Sequence, residues 1–402
     1  MIPRMEPLPL PLEGITVVAV EQAVAAPFAT RQLADLGARV VKVERIDGGD
    51  FARGYDTAAA GLASHFVWCN RGKESIALDL KDPRGLDVVH RLVADADVFV
   101  QNLAQGAAAR LGLDAATLCA ADPRLIAVDI SGYGAFGPYA GKRAYDMLVQ
   151  CEAGLVSVTG TAEQPVKAGI PAADIAAAMY AFSGVLAALV RRGTTGRGGP
   201  VEVSMLEALA EWMGHPLHHA MHGGTPPART GLAHAVISPY DAYPTADGGR
   251  VLLSVQNDRE WRRLAEQVLL QPELAHDPAY ATNAARVEHR AHTDELVGKA
   301  LAALVTDEAV ARLEAAGIAC ARLRDVREVA EHPQLAARDR WREVGSPVGP
   351  LRALLPPITL PGGDSARMGP VPALGEHTGA VLRAVGMTDD EIAALRRDGV
   401  TA

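Results

Sequence analysis

ITVVAVEQAVAAPFATRQLADLGARVVKVE, residues 15–44, is the stretch that decides the fold. Its two ends, Ile15–Glu21 and Ala38–Glu44, are rich in β-branched residues, and the segment between them has helical spacing and ends at Gly37. Near-continuous apolar strands are typical of parallel sheets that helices cover on both faces. The stretch therefore predicts a strand, a helix and a second strand of a parallel sheet.

The same alternation continues along the chain. We predict three further strands at Ser75–Leu80, Asp97–Asn102 and Leu125–Ser131. Asp82 followed by Pro83 is a typical helix start between two of them. Alternating strands and helices predict an α/β fold with a doubly wound, Rossmann-like parallel sheet. The turn EQAVAAP after the first strand lacks the G-x-G-x-x-G fingerprint, which argues against a dinucleotide-binding site.

The length of 402 residues predicts more than one domain. We place the first part of a large Rossmann-like domain in residues 1–222, a smaller α+β domain in 223–330, and a return segment with C-terminal helices of the large domain in 331–402. The first boundary lies at the Pro- and Gly-rich linker Gly223–Gly231, and a hairpin turn is predicted around Asp247 in the smaller domain.

The net charge and the cysteines limit which binding partners and which cellular compartment we expect for this protein. A net charge of −9 argues against a nucleic-acid or membrane-surface binder. Four scattered cysteines form no C-x-x-C pair, which indicates reduced thiols rather than a disulfide framework. The N-terminal residues MIPRMEPLPLPLEG lack the apolar core of a signal peptide. We therefore expect a cytoplasmic protein with no nucleic-acid or membrane partner.

A single carboxylate, Asp174, stands at the head of the apolar run Ala168–Arg192. The 16 residues between Asp174 and Arg191 are fewer than the roughly 20 that a membrane span needs, so we predict a buried helix. Two interpretations of Asp174 remain at this point. It either caps the helix, worth about 0.5–2 kcal/mol, or acts as a nucleophile that the small neighbouring residues leave accessible.

A histidine-rich run is the one candidate metal site. Its members are His215, His218, His219 and His222. Their helical spacing could bring three imidazoles to one face, but Pro216 interrupts the run and no carboxylate or cysteine stands at ligand spacing. We therefore predict no metal.

Basic residues recur at the ends of the predicted strands and in the loops after them. They are Arg45, Arg53, Arg71, Lys73, Arg110, Lys142 and Arg143. Each alone is an ordinary solvated charge. Together they could converge on the carboxyl edge of the sheet, where open α/β folds bind ligands, and hold phosphate groups. Both interpretations remain open on the pattern alone.

Several segments in this order resemble the class III coenzyme A transferases. The resemblance is carried by GDFARG (49–54), CNRGKESIALDL (69–80), DISGYGAFGPYAGKRAYD (129–146) and ADIAAAMYAFSGVLAAL (173–189), and it is strongest from Gly14 to about Leu209. It implies an interlocked homodimer in which the large domain contains both the N-terminal sheet and the C-terminal helices. It also implies acyl-CoA and a short carboxylic acid as substrates, with no tightly bound cofactor.

The resemblance assigns roles to individual residues. The nucleophile of the family heads a helix in a similar segment, so this role falls on Asp174. Contacts with CoA fall on Arg45, Asn102, Arg110 and Arg143, to which the basic pattern adds Arg71 and Lys73. Val24 stands where formyl-CoA transferase has a glutamine beside the thioester, and the shielding glycine loop of that enzyme has no clear counterpart here.

A related racemase provides the main alternative. It exchanges an α-proton with a histidine at the position of Tyr145, and tyrosine, with a pKa of about 10, is a poor base at neutral pH. The transferase interpretation is therefore favoured over a racemase or a non-catalytic CoA-binding protein. The segments look most like transferases of mesaconyl- or itaconyl-type acids, which predicts C4–C5 dicarboxylic substrates, succinyl among them. Candidate substrate contacts are Val24, Tyr145, Arg53, Arg229 and His234.

Overall fold

The computed structural model describes residues 8–224, 226–360 and 366–402. Within these residues the chain forms two compact units. The first unit comprises Met1–Leu155, Ala168–His215 and Ala337–Ala402, and the second comprises Val156–Lys167 and Pro216–Ala336. Val156–Lys167 therefore belongs to the second unit, whereas the sequence places this segment in the large domain. Thr225, in the predicted linker, lies outside the described residues.

A six-stranded sheet forms the centre of the first unit, and a three-stranded sheet and a two-stranded hairpin complete the strands of the described residues. The strands are β1 (Thr16–Val20), β2 (Arg39–Glu44), β3 (Lys73–Ala77), β4 (Val98–Gln101), β5 (Ile126–Ser131), β6 (Gly199–Ser204), β7 (Tyr240–Pro244), β8 (Arg250–Ser254), β9 (Ala319–Arg322), β10 (Trp341–Val344) and β11 (Leu351–Leu354). The central sheet has the order β3-β2-β1-β4-β5-β6 with every pair parallel. The predicted Rossmann-like sheet is confirmed, with β3 beginning two residues before the predicted Ser75.

The α-helices of the described residues alternate with these strands. They are α1 (Ala25–Asp35), α2 (Ser64–Asn70), α3 (Pro83–Ala94), α4 (Ala107–Arg110), α5 (Ala115–Ala121), α6 (Asp146–Glu152), α7 (Leu155–Val158), α8 (Ala172–Thr195), α9 (Met205–Trp212), α10 (Gly214–Gly223), α11 (Asp258–Arg263), α12 (Asn283–Glu288), α13 (Arg290–Ala302), α14 (Thr306–Ala315), α15 (Val326–Ala330), α16 (Pro333–Ala337), α17 (Thr378–Ala384) and α18 (Asp389–Arg397). The predicted helix start at Asp82 is confirmed, because its side chain accepts a hydrogen bond from the N–H of Arg84.

Both faces of the central sheet are buried, as the apolar strands predict. Val17 and Ala19 of β1 pack with α1, α8 and α9 on one face, whereas Val18 and Val20 pack with α3, α5, α17 and α18 on the other. The C-terminal helices therefore complete the core of the first unit. Because successive residues of a strand point to opposite faces, a strand buried on both sides must be apolar throughout.

Helix α8 is long and apolar enough to cross a membrane by length and composition. Its alanines Ala173, Ala176 and Ala177 are fully buried in the core that it shares with α1 and the sheet. The small side chains let the two helices approach closely, and their burial removes apolar surface from water. Helix α8 is therefore a core helix, as predicted.

The second unit has a core of its own. Strands β7, β8 and β9 form an antiparallel sheet, with the predicted hairpin turn around Asp247 between β7 and β8. Trp261 is fully buried among residues from α13 and α14, and its indole N–H donates to the carbonyl of Leu274. The combination of helices with a small antiparallel sheet confirms the α+β character predicted for this part of the chain.

Candidate active site

Asp174 lies in the first turn of α8, but it does not cap this helix. The residue before the helix, Pro171, provides no side-chain cap. Instead, Oδ1 of Asp146 accepts hydrogen bonds from the N–H groups of Ala173 (2.8 Å) and Asp174 (3.3 Å). The carboxylate of Asp174 has no hydrogen-bond or ion-pair partner among the described residues. The capping interpretation thus passes to Asp146, and Asp174 is left free for chemistry.

Electrostatics make the Asp174 carboxylate reactive. Burial, and after it the negative charge of Asp146, raise the pKa of Asp174 to about 7. Both effects destabilise the charged form, and no cation compensates them among the described side chains. A carboxylate that is poorly stabilised in this way gains most from attacking an electrophile, because its negative charge passes to the leaving group.

Helix α6 holds the segment that enters α8. Oδ2 of Asp146 accepts from Nε2 of Gln150 at 2.7 Å, and Oε1 of this buried glutamine accepts from the N–H of Ala168 at 3.1 Å. Asp146 and Gln150 are one helical turn apart, and together they hold the backbone that leads to Asp174 through hydrogen bonds. The sequence analysis missed Asp146 as a site residue, although it directly follows the candidate Tyr145.

Two exposed tyrosines stand near the carboxylate. Burial, followed by the charges of Asp50 and Asp174 and an interaction with Tyr145, raises the pKa of Tyr55, which places these four groups close together. The side chains of Tyr55 and Tyr145 are 52% and 68% exposed, so both are available to a bound substrate. The structure therefore brings the predicted Tyr145 to the site and adds Tyr55, which the sequence analysis did not single out.

The turn between β1 and α1 is held in an unusual conformation. Ala23 has a φ of 63°, which costs an L-residue about 1–2 kcal/mol. Its N–H donates to Oδ1 of Asp50 at 2.9 Å. On the other side, Asn102 accepts from the N–H of Gln22 and donates to the carbonyl of Gln22. Asn102 thus holds this turn through its amide, and its predicted contact with CoA stays a prediction. Val24, the candidate substrate contact, is buried at the start of α1.

A network of buried charges lies beneath this turn at the carboxyl edge of the sheet. Lys73 donates to Oε1 of Glu21 at 2.6 Å, and Lys42 donates to Oδ2 of Asp50 at 2.7 Å and lies 3.4 Å from Glu21. The two lysine side chains are completely buried. Although burial lowers the pKa of Lys42, the carboxylates of Glu21 and Asp50 outweigh it and raise the pKa above its ordinary value.

This network corrects two of the predicted CoA contacts. Lys73 is enclosed by Glu21 and by oxygen acceptors of Pro27 and Asn70. Arg71 donates from two nitrogens to Asp35 at 3.0 and 2.8 Å and is also buried. Neither side chain reaches a surface at which CoA could bind, because each satisfies a buried carboxylate inside the fold.

Arg53, a candidate partner for a substrate carboxylate, is also engaged within the protein. Its guanidinium donates to both oxygens of Glu44 and lies 3.7 Å above the ring of Phe66. These contacts hold the pKa of Glu44 near 2, against the opposing effect of burial. The arginine therefore stabilises the loop after β2 rather than presenting a free charge.

A cleft of about 420 Å³ opens at the carboxyl ends of β1, β2 and β3. Its walls are mainly apolar, and its cationic lining residues are Arg45 and Lys81. Arg110 and Arg143 are exposed and have no ion-pair partner among the described residues. The carboxyl edge at the β1–β4 switch point is where doubly wound sheets bind ligands. Five acidic residues also line the cleft, and three of them, Glu21, Glu44 and Asp50, are already paired with internal cations. Apolar walls with two cations suit a nucleotide.

The remaining candidates lie in the second unit. Arg229 donates to the carbonyls of Thr161 (2.8 Å) and Ala162 (2.9 Å), so its guanidinium anchors this loop. The ring of His234 stacks on Tyr240, and its Nδ1 accepts from a backbone N–H. Across the described residues, no group of three or more His, Cys, Asp or Glu side chains is arranged to hold a metal ion.

Comparison with known proteins gives the family. Residues 12–378 match CoA-transferase family III. The chain belongs to this family. A succinate–glutarate CoA-transferase of Agrobacterium fabrum is 35% identical over 92% of this chain and 95% of its own length. A succinyl-CoA–D-citramalate CoA-transferase of Chloroflexus aurantiacus is 32% identical over 96% of this chain and 97% of its own length. A CAIB/BAIF family protein from Brucella suis has a similar structure, with a TM-score of 0.85, 32% identity and coverage of 94% of this chain and all of that one.

A CoA-transferase with this site should show an acid limb in its pH profile. We propose Asp174 as the nucleophile, and only an ionised carboxylate attacks an acyl group, so we expect kcat/KM for acyl-CoA to rise with pH through about 7. Replacing Asp146 by Asn removes the neighbouring negative charge and should move this limb to lower pH. The shift should be partial, because burial is the larger cause of the raised pKa. A pH–rate series of both proteins tests this expectation, and an unchanged limb in Asp146→Asn would contradict it.

Proposed function

We propose that this CoA-transferase moves CoA between short dicarboxylic acids through a covalent thioester on Asp174. The observation that carries the proposal is the unpaired carboxylate of Asp174 at a helix start that another residue, Asp146, already caps. A fold has no structural use for an acid in this position, because the helix amides are satisfied and the charge is left uncompensated. Nucleophilic attack is the role that accounts for it.

The reaction proceeds by four balanced displacements. The Asp174 carboxylate attacks the thioester carbonyl of the donor, which forms a mixed anhydride and releases the CoA thiolate. The thiolate attacks the aspartyl carbonyl of the anhydride, giving the aspartyl-CoA thioester and the free donor acid. The acceptor carboxylate then attacks this thioester, and the released thiolate takes the acceptor acyl group from the second anhydride. No net proton is consumed, and each step exchanges one acyl bond for a similar one.

We assign the CoA nucleotide to the cleft at the carboxyl edge of the central sheet. Its apolar walls suit an adenine ring, and Arg45 and Lys81 suit phosphate oxygens. Arg110 and Arg143 are further candidates for phosphate contacts, since both are exposed and unpaired within the described part of the chain. Lys81 was not among the residues that the sequence suggested for this function.

The substrate class follows from the relatives. The Agrobacterium enzyme is named for succinate and glutarate, and the Chloroflexus enzyme for succinyl-CoA and citramalate. We therefore infer that the present enzyme uses C4–C5 dicarboxylic acids of the succinyl, mesaconyl or itaconyl type. Because Arg53 and Arg229 are already engaged with protein oxygens, they are weaker candidates for the distal carboxylate than the sequence suggested.

A homodimer remains part of the proposal. Several large apolar side chains of the first unit are exposed, among them Phe51 (53%), Phe136 (87%) and Val190 (73%). Apolar side chains of this size are exposed more often at interfaces than elsewhere. Sedimentation or light scattering of the purified protein gives the oligomeric state directly.

An acceptor panel tests the proposed function. Purified protein is incubated with succinyl-CoA and paired acids that differ only in the distal carboxylate: glutarate against valerate, and mesaconate against tiglate. We expect acyl-CoA products from the dicarboxylates at least about tenfold faster than from the matched monocarboxylates. Equal rates would contradict the substrate class. Solvent deuterium entering the α-carbon without an acceptor acid would instead indicate a racemase.

A further inference from the structure

The turn that precedes α1 needs an external restraint. Ala23 has a φ of 63°, in the left-handed region that residues with a Cβ rarely adopt. Such a conformation persists only where the surrounding structure holds it. The N–H of Ala23 itself donates to Oδ1 of Asp50, and the preceding Gln22 is held by two hydrogen bonds with Asn102.

Asp50 is held rigidly from every side. Its side chain is buried, with the residue only 2% exposed. Oδ1 also accepts from the N–H of Ala52 at 2.9 Å, and Oδ2 accepts from Lys42 at 2.7 Å. The backbone N–H of Asp50 donates to Glu44 at 3.0 Å. A carboxylate fixed in this way can dictate the geometry of the turn that it binds.

The turn leads directly to the helix that faces the catalytic segment. Ala25 and Ala26 at the start of α1 share one core with Ala172 and Ala173 at the start of α8. These four alanines have almost no exposed surface, so a displaced α1 start would disturb the residues that flank Asp174.

We propose that Asp50 is a positioning residue of the transferase: it fixes the left-handed turn at Ala23 so that Val24 and the start of α1 meet the acyl group at Asp174. The inference rests on the proposed function of Asp174. Asp50 also lines the cleft assigned to the CoA nucleotide, but its oxygens are occupied by Ala23, Ala52 and Lys42, so its effect passes through the Gln22–Val24 turn. The buried network around Lys42 then supports catalysis indirectly, because it holds Asp50.

Glycine provides a test that does not depend on disrupting the fold. Glycine adopts the left-handed conformation without the steric cost of a Cβ, so Ala23→Gly should favour the turn even where Asp50 restrains it less. The matched control is Ala60→Gly, because Ala60 also has a left-handed φ, of 53°, and is exposed. Each is combined with Asp50→Asn, and rates of aspartyl-thioester formation from succinyl-CoA and the thermal midpoint are measured for Asp50→Asn and for the two double variants.

We expect Asp50→Asn to lower kcat about 10- to 100-fold, because misplaced reacting groups lose orientation. This variant keeps an oxygen acceptor for the N–H of Ala23 but loses the ion pair with Lys42. A wild-type kcat in Asp50→Asn would overturn the proposal.

The double variants test whether Asp50 acts through this turn. In the Asp50→Asn background, Ala23→Gly should raise kcat by at least about threefold, because glycine favours the left-handed turn that the weakened Asp50 no longer holds. Ala60→Gly should not raise kcat in the same background, since Asp50 does not bind that turn. No recovery with Ala23→Gly, or an equal recovery with Ala60→Gly, would refute the connection. If the wild type itself forms no thioester on Asp174, the proposed function fails, and this result is distinct from either outcome above.

Discussion

Asp174→Asn is expected to lower the transfer of CoA by about 10⁴-fold or more. The amide has nearly the shape of the carboxylate but cannot form the anhydride or the aspartyl thioester. The measurement is steady-state transfer from succinyl-CoA, combined with mass spectrometry after borohydride or hydroxylamine treatment. The wild type should be modified on the peptide that contains Asp174, and the variant should not.

The loss in Asp174→Asn should not result from unfolding. Since burial and Asp146 raise the pKa of Asp174 to about 7 from its ordinary value, this residue stabilises the fold only where it is protonated. That contribution is complete below the unfolded pKa and is lost as the pH rises through about 7. At pH 8 the variant should therefore unfold at the same temperature as the wild type or above it.

Asp390→Asn is a matched control for this prediction. Asp390 is also an acid in the first turn of a helix, α18, but it is exposed on the surface. Its replacement should leave transfer at the wild-type rate. Substantial transfer by Asp174→Asn, or labelling of a different residue, would exclude Asp174 as the nucleophile.

Lys42→Met is expected to destabilise the first unit by about 3–5 kcal/mol. Lys42 is completely buried and lies between the carboxylates of Asp50 and Glu21. Lys73 remains as a partner for Glu21, but Asp50 keeps only backbone donors and becomes a buried charge without a counter-charge. Urea unfolding, followed by circular dichroism, measures the change in the free energy of unfolding.

Arg39→Met provides the comparison on the same strand. Arg39 pairs with Glu74 on the surface, where the two side chains are 42% and 31% exposed. An exposed ion pair contributes at most about 1 kcal/mol to stability. Arg39→Met should therefore lower the free energy of unfolding much less than Lys42→Met does. Equal costs would show that the buried network is not a major source of stability. Transfer activity should also fall in Lys42→Met, because Asp50 would lose its anchor.

The fold could be predicted because its determinants are local. The strands and helices of residues 15–44 follow from β-branched runs, helical spacing and a terminal glycine, and each of these signals acts within a few residues. The apolar character of β1 on both faces also required a sheet with helices on each side. The position of Asp174 at a helix start was visible for the same reason.

The assignment of basic residues could not be made from sequence. Arg71 and Lys73 looked like ligand-binding cations, yet their carboxylate partners Asp35 and Glu21 lie 36 and 52 residues earlier in the chain. An ion pair over such a separation exists only after the sheet has formed. The hydrogen bond of Asn102 with the turn at Gln22, across 80 residues, could not be predicted for the same reason.

The amino-acid sequence by itself determined the parallel α/β sheet, the buried helix α8 and the family resemblance that points to Asp174. Only the tertiary structure showed that Asp146, and not Asp174, accepts hydrogen bonds from the amides at the start of this helix. Asp146 is 28 residues away in sequence, and folding brings its carboxylate to the helix amides that Asp174 would otherwise have capped. The physical reason is that one carboxylate acceptor already binds these amides at the helix start. The second carboxylate nearby is left unpaired, and burial beside a like charge disfavours its ionised form.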